Sequence, residues 1–292
     1  MKKIKNIIYK LRLKLLLFRN FLYRKLNKYD KRIIIASSNK YVNKVKEDIN
    51  LCYYLLKNGI YSEIKDWKNI SDDENIIIRS VWGYQNEIDD FNKFLSNRKG
   101  ITINSVDILN KNISKKEQYE LFKKYNISCI DTQFVYDIKD IDIKEKSVLK
   151  PIISASGNNT YIVNSNDDIK EDLSKGYMVQ PYIEKINNGE YSIILFEKEL
   201  VYGIRRYPGI FTNRQSVEYI SDIDDNIKSI INDINKIDEY NDYVFMRVDI
   251  VDNKVIEIEL LDPQLFIETI PDKNKRIDIY VKLVNIIRER LK

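Results

Sequence analysis

Apolar residues recur along this chain in two rhythms. At Ile4, Ile7, Ile8, Leu11, Leu15, Phe18, Leu22 and Leu26 they keep the spacing of a helical stripe, with lysines and arginines on the other face. From residue 32 the pattern changes. RIIIASS (32–38), ENIIIRSVW (74–82) and GITIN (100–104) are short apolar runs suited to buried strands, while residues 43–58 and 86–97 return to helical spacing. Strands alternating with helices predict a small parallel α/β unit. KKEQYELFKKYN (115–126) reads as a short amphipathic helix. The texture then shifts to short strands with hairpin-like links: KSVLKP (146–151), TYIV (160–163), YMVQPYI (177–183), EYSIILF (190–196) and ELVYGIRR (199–206). Residues 222–238 and 275–291 read as helices. These shifts divide the chain into a basic amphipathic helix over 1–30, an α/β domain over 31–110 and a second domain over 111–292.

Composition adds constraints. The 292 residues are 43% hydrophobic and 32% charged, as in a folded chain with a sizeable core. The net charge of +5 is uneven: residues 1–32 hold twelve Lys or Arg and one acid, so the body is net acidic. The tail lacks the run of about 20 apolar residues that spans a bilayer. It also lacks a small-residue cleavage site after its apolar run at 15–18. It reads either as a helix lying on an anionic membrane surface or as a helix packed on the body or a partner chain. The body shows no interleaved aromatic platform, so no nucleic acid partner is expected. There is no histidine, which excludes Ser–His triads, histidine-ligated zinc and imidazole acid–base chemistry. Cys52 and Cys129 have neither metal-ligand spacing nor a disulfide framework around them. That fits a reducing, cytoplasmic setting, with a peripheral place at the inner membrane face if the tail binds lipid.

The segment RVDIVDNKVIEIELLDP (247–263) carries the clearest chemistry. Side chains alternate along a strand, so Val248 and Ile250 share one face while Arg247 and Asp249 share the other. On the following strand Ile256 and Ile258 share a face, as do Glu257 and Glu259. Joining the apolar faces pairs Asp249 with Glu257 and Arg247 with Glu259. That register needs an odd loop, most simply Asp252-Asn253-Lys254. Facing carboxylates destabilise a hairpin unless something compensates them. A hard divalent cation would do so, since magnesium takes one or two carboxylates plus substrate phosphates. A solvated sheet face is the alternative.

Two further stretches bear on that choice. VLKPIISASGNNTYIV (148–163) delivers Lys150 from a strand into a loop of small residues, where backbone N–H groups can approach phosphate oxygens. MVQPYIEKINNGEYSI (178–193) is a strand, an acid, a glycine, a second acid and another strand. With the RVD and EIE elements, this order resembles the ATP-grasp ligases, in the branch of cycloserine synthetase (the O-ureido-serine cyclo-ligase), near glutathione synthetase and ribosomal-protein glutamate ligase. IIIRSVWGYQNEIDDFNKFL (76–95) resembles that branch's Arg-Ser-x-Trp-x-Tyr signature. ITINSVDILNKNISKKEQYELFKKYNI (101–127) resembles its Asn-rich approach to a lysine-bearing helix. The likeness runs from about residue 32 to the end.

The resemblance implies an α/β (α+β) protein with an ATP-grasp fold behind an amino-terminal parallel α/β pre-ATP-grasp domain. It implies ATP and Mg²⁺ as cofactors, and a carboxylate and an amine as small-molecule substrates joined through an acylphosphate. By position, Lys116 and Lys150 would reach the phosphates, and Ser154, Ser156 and Gly157 would form the loop over them. The strand from Gln180 to Ile183 would hold adenine through its backbone. Tyr182 would be the donor, because Pro181 has no N–H. Glu184 or Glu190 would lie near the ribose, and Arg205 would contact phosphate. Asp249, Glu257 and Glu259 would hold magnesium, and Arg247, the catalytic residue, would stabilise charge on the transferring phosphoryl or the tetrahedral intermediate. Arg79 would bind the substrate carboxylate, with Ser80, Trp82, Tyr84 and Arg214 as cleft candidates. Two departures are visible: Glu259 stands where the wider superfamily often has Asn, and Lys115 where an acid usually precedes the lysine. A kinase of the same fold and a non-catalytic, membrane-associated nucleotide binder are the alternative functions.

Overall fold

In the computed structural model the described residues are 2–154, 159–207 and 216–292, with side chains from Asn6 onward. They form two compact units, Met1–Val106 with Leu261–Lys292, and Asp107–Leu260.

The first unit begins with helix α1 (Lys2–Leu26), followed by strand β1 (Lys31–Ser37), helix α2 (Lys46–Lys57), strands β2 (Ile60–Asp66) and β3 (Ile76–Ile78), helix α3 (Ile88–Ser96) and the short strand β4 (Thr102–Ile103). The four strands make a parallel sheet in the order β2-β1-β3-β4. Ile33–Ala36 and Ile76–Ile78 are fully enclosed, as continuous apolar runs in parallel strands should be. The parallel α/β expectation therefore holds. Strand β2 is not apparent in the pattern, because IYSEIKD has only two aliphatic residues, Ile60 and Ile64, and buries the polar Ser62 between them.

The second unit contains helices α4 (Val106–Ile113) and α5 (Lys115–Lys124), strands β5 (Gln133–Val135), β6 (Ser147–Pro151), β7 (Tyr161–Val163), β8 (Tyr177–Pro181), β9 (Glu190–Phe196), β10 (Glu199–Tyr207) and β11 (Ser216–Ile220), helix α6 (Asp225–Ile234), and strands β12 (Phe245–Val251) and β13 (Lys254–Glu259). They build two antiparallel sheets, β5-β8-β6-β7 and β11-β10-β9-β12-β13. One face of the larger sheet supplies Ile193, Leu195, Met246, Val248, Ile250 and Ile258 to a core closed by Ile227, Ile230, Ile231 and Ile234 of α6 and by Tyr119 and Phe122 of α5. Burying each such side chain stabilises the fold by about 1.5–3 kcal/mol. Because side chains alternate, the same strands must turn Arg247, Asp249 and their partners to the opposite face.

The β12–β13 register is the one the apolar pattern demands: Arg247 pairs with Glu259 and Asp249 with Glu257. The connection differs from expectation. It is a two-residue turn, with Asp252 at φ 50° and Asn253 at φ 57°, and Val251 pairs directly with Lys254. Residues of this type tolerate the left-handed conformation that such hairpins need. The parity is restored by a bulge beside Asp249, where β13 steps from Val255 to Glu257 while β12 takes one step. Ile256 is the extra residue. Its carbonyl accepts the Tyr119 hydroxyl (3.0 Å), so the bulge leaves that group satisfied.

The chain then returns to the first unit and ends in helix α7 (Lys273–Arg290), whose N-cap Asp272 accepts from the Asn274 and Lys275 N–H groups. Tyr280 of α7 stacks on Tyr54 of α2 with ring centroids 4.9 Å apart and donates to Glu268. Residues 261–292, which the sequence reading grouped with the second domain, thus pack with the first unit.

Candidate active site

One face of the larger sheet gathers charge from four neighbouring strands. Glu190 and Ser192 come from β9, Arg206 from β10, Arg247 and Asp249 from β12, and Glu257 and Glu259 from β13. Asp249 is its hub. Arg247 grips both carboxylate oxygens, through Nε and Nη2, each at 3.0 Å. Ser192 donates to Oδ1 (2.6 Å), and Arg206 Nη2 lies 2.7 Å from Oδ2. Burial opposes ionisation of Asp249, but Arg206 and Arg247 outweigh it and hold the carboxyl at about 2. Burial likewise works against the charge on Arg247, and Asp249 and Glu259 more than compensate, keeping its pKa above the ordinary value. Arg247 also donates to Glu259. Arg206 reaches Glu190 (2.5 Å) and donates to the Ser192 hydroxyl (2.7 Å). The Glu190 carboxyl is raised, chiefly by burial, against the pull of Arg206.

Two lysines join this face from other elements. Lys115, at the start of α5, is buried; its Nζ lies 2.8 Å from Glu257 and donates to the Ser154 carbonyl (3.0 Å). Its backbone N–H donates to the Ile152 carbonyl (3.1 Å), so the first residues after β6 are tied to Lys115 by both its backbone and its side chain. Lys150, on β6, is buried as well. Desolvation lowers its pKa to about 8, with Lys115 pushing the same way and Glu257 opposing.

Several expected residues sit elsewhere. Lys116 is half-buried and donates instead to the Tyr136 hydroxyl (3.4 Å). One residue along a helix turns a side chain by roughly 100°, which is why Lys115 takes the inward position. Arg205 points away from the cluster, donating to Asn188 (2.8 Å) and lying over Tyr191 and Tyr207; its neighbour Arg206 is the one that enters. Tyr182 already spends its N–H on the Lys146 carbonyl (2.9 Å), so it is not an idle donor for a base, and its ring is capped by Lys146 at 3.6 Å. Gln180 is buried against Tyr119 (2.6 Å) and Thr132 (2.8 Å). Glu184 is exposed and pairs with Lys146 (3.2 Å), far less enclosed than Glu190. Ile183 caps the short turn 184–188, its carbonyl accepting from Ile186. Ser156, Gly157 and Arg214 lie outside the described residues.

In the first unit, Arg79 is buried in an ion cluster with Glu47 (2.5 Å) and Asp48 (3.4 Å). Ser80 donates to Asp48 (2.6 Å) and meets Ser37. Glu47 further accepts the N–H groups of Leu265 and Ile267. Burial pushes both carboxyls up against the pull of Arg79. Arg79 thus has carboxylate partners inside its own unit. Trp82 donates to the Asp262 carbonyl (3.4 Å) and meets Tyr41 edge-on, while Tyr84 is buried against Phe91.

Among the described residues no three acids or cysteines lie close enough together to hold a metal unaided. The chemistry of the acidic face still suits magnesium: Asp249, Glu257 and Glu259 offer only hard oxygen donors, and Glu257 and Glu259 are partly open to solvent.

The description of the prokaryotic glutathione synthetase ATP-grasp domain fits residues 115–274. The chain belongs to this ATP-grasp family. It is an ATP-dependent ligase that forms carbon–nitrogen bonds between a carboxylate and an amine. Among solved structures, the ATP-grasp chain is similar to a D-cycloserine synthetase, at 15% identity and TM-score 0.74, over 89% of this chain and 100% of that one. It is similar to a RimK-domain ATP-grasp protein from Sphaerobacter thermophilus, at 11% identity and TM-score 0.64, over 89% and 99%. It is also similar to the ATP complex of a D-alanine–D-alanine ligase from Bacillus anthracis, at 14% identity and TM-score 0.57, over 89% and 97%. These likenesses establish the ATP-grasp fold. Comparison with curated protein sequences found no match.

Proposed function

We propose that the charged face of β10, β9, β12 and β13 is where this ligase activates a small-molecule carboxylate with ATP before an amine takes it. The observation that carries the reading is the convergence of Arg206, Arg247, Lys115 and Lys150 on a sheet face that also holds Asp249, Glu257 and Glu259. Four cations in one place suit a triphosphate, and three hard carboxylates suit the metal that accompanies it.

Asp249, Glu257 and Glu259 are the residues we assign to Mg²⁺, with nucleotide phosphates completing its ligands. Bound there, the metal would neutralise charge on the phosphate oxygens. Asp249 has a second task, because its contacts orient Arg247 and Arg206. Arg247 is placed to stabilise negative charge on the transferring phosphoryl group and on the tetrahedral species that follows. Lys150 and Lys115 neutralise the remaining phosphate oxygens, and Lys115 holds the Ser154 loop in register with Glu257. The substrate carboxylate attacks the γ-phosphorus and ADP departs; the amine then attacks the acyl carbon, phosphate departs, and the amine proton passes to solvent or a nearby base. Each well-placed donor in such a site lowers the barrier by roughly 3 kcal/mol. Glu190, with its raised pKa, we assign beside Arg206 in preference to the ribose. The cytoplasm, where ATP is supplied, is the setting we assign.

The test is a screen of carboxylate and amine pairs for ADP release, with product analysis. ADP, free phosphate and a new amide support the reading. A phosphorylated product with no amide would make the protein a kinase, and nucleotide binding with no substrate-stimulated hydrolysis would sink both.

A further inference from the structure

Helix α1 is mounted the opposite way from most surface helices, which turn their apolar stripe inward. Its inward face is mixed: Leu13 is buried, Leu16 and Leu17 are half-buried, and Tyr23 packs edge-on against Tyr53, with polar contacts beside them. Arg19 donates to Asn50 (3.1 Å) and lies 3.5 Å over the Tyr53 ring. Asn20, buried, donates to the Ile49 carbonyl (2.8 Å), and Arg24 donates to the Ser62 carbonyl (3.1 Å). At about 100° per residue, Leu11, Leu15, Phe18, Leu22 and Leu26 fall on the opposite side. That side is open: Leu11 is 55% exposed, Leu15 69%, Phe18 57% and Leu26 77%. The helix is thus clamped to its own unit with its apolar stripe outward.

Whatever covers that stripe must be apolar at the contact and negative around it. Residues Lys2–Leu26 carry nine Lys or Arg and no acid, and Lys10, Lys14 and Lys25 are exposed. A second copy of the same face would set positive charge against positive charge, which interfaces avoid. A nucleic acid would supply phosphates but no apolar layer. An anionic bilayer supplies both, acyl chains for the leucines and headgroups for the lysines. No described helix is long and apolar enough to cross a membrane, so the contact is with the surface.

We propose that α1 is a rigid lipid-facing platform, held to the first unit by Arg19, Asn20 and Arg24, that seats the ligase on an anionic membrane. Because the clamp holds the helix at several side chains in its second half, lipid binding fixes the orientation of the first unit instead of tethering it loosely.

The full chain is sedimented with vesicles of phosphatidylcholine alone and with vesicles containing about 30% phosphatidylglycerol. Binding is expected to the anionic vesicles only, and to weaken with salt. The double variant Leu15→Glu/Phe18→Glu should lose about tenfold or more of that binding while keeping its ATP turnover in solution. Lys10→Glu/Lys14→Glu should weaken binding through charge alone, and serves if the first variant misfolds. Equal binding to both vesicle types, or undiminished binding by both variants, overturns the proposal. So does a wild-type chain that ignores vesicles but forms a dimer that Leu15→Glu/Phe18→Glu dissociates, which would assign the stripe to a second copy.

Discussion

Asp249 and Glu257 stand directly opposite one another across the β12–β13 ladder, and their close ion pairs come from different elements: Asp249 is held by Arg206 of β10 and Arg247 of β12, Glu257 by Lys115 of α5. Two acids that would repel each other are thus each brought a cation from a different element.

Removing Asp249 therefore does two things. Asp249→Ala takes a shared carboxylate from two guanidinium groups that keep Glu259 and Glu190 as partners, and should destabilise the protein by about 3 kcal/mol. Asp249→Asn keeps the shape and should cost less stability while lowering kcat at least ~100-fold. Urea unfolding alongside steady-state kinetics separates the two losses. Retained turnover in Asp249→Asn would remove this residue from the machinery.

Lys115 and Lys116 give a contrast between neighbours. Lys115→Ala should raise the KM for ATP and lower kcat by about two orders of magnitude. Lys116→Ala, which loses only an exposed contact with Tyr136, should change stability by no more than about 0.5 kcal/mol and leave kinetics near wild type. The opposite ranking would return the phosphate contact to Lys116.

Lys150 makes the ligand-free enzyme pH-sensitive. Its pKa is lowered from 10.5 to about 8, so between those values the unfolded chain binds a proton that the folded chain has released. Stability of the free enzyme should rise with pH across that window. ATP affinity should fall over the same range as the lysine loses its charge. Calorimetric titration with ATP from neutral to alkaline pH, in wild type and Lys150→Met, checks both, since the variant should lack the dependence.

Arg79→Ala should be a stability mutation before it is a binding one. It leaves Glu47 and Asp48 buried without their cation, at a cost of about 3–5 kcal/mol. A variant that unfolds at the wild-type urea midpoint but binds its carboxylate substrate weakly would restore the substrate role.

What could be read beforehand follows from where physics is local. The pairing of Asp249 with Glu257 was legible because alternation along two apolar-faced strands fixes the parity of the register, and a short connection selects this one. The turn was not, because a bulge at Ile256 compensates a two-residue loop, and an extra residue leaves no mark in the pattern. Arg206 was missed in favour of Arg205 because the choice rested on the family resemblance, which does not say which of two adjacent arginines faces the acids; alternation along β10 puts Arg206 opposite Glu190 on that face. Lys115 was passed over although α5 begins where the periodicity puts it, because the family resemblance placed the phosphate lysine one residue later, at Lys116. The ion cluster of Arg79 depends on residues more than thirty positions away, and no short-range pattern announces it.

The two-residue turn and the bulge together behave as a parity lock. A chain that gained one residue in the turn and lost the one at Ile256 would present the same four charged groups in the same places, whereas either change alone would invert the strand and drive Glu257 and Glu259 among the isoleucines. Insertions and deletions in this hairpin are therefore tolerated only as matched couples, so loop length there can drift while the chemistry stays put.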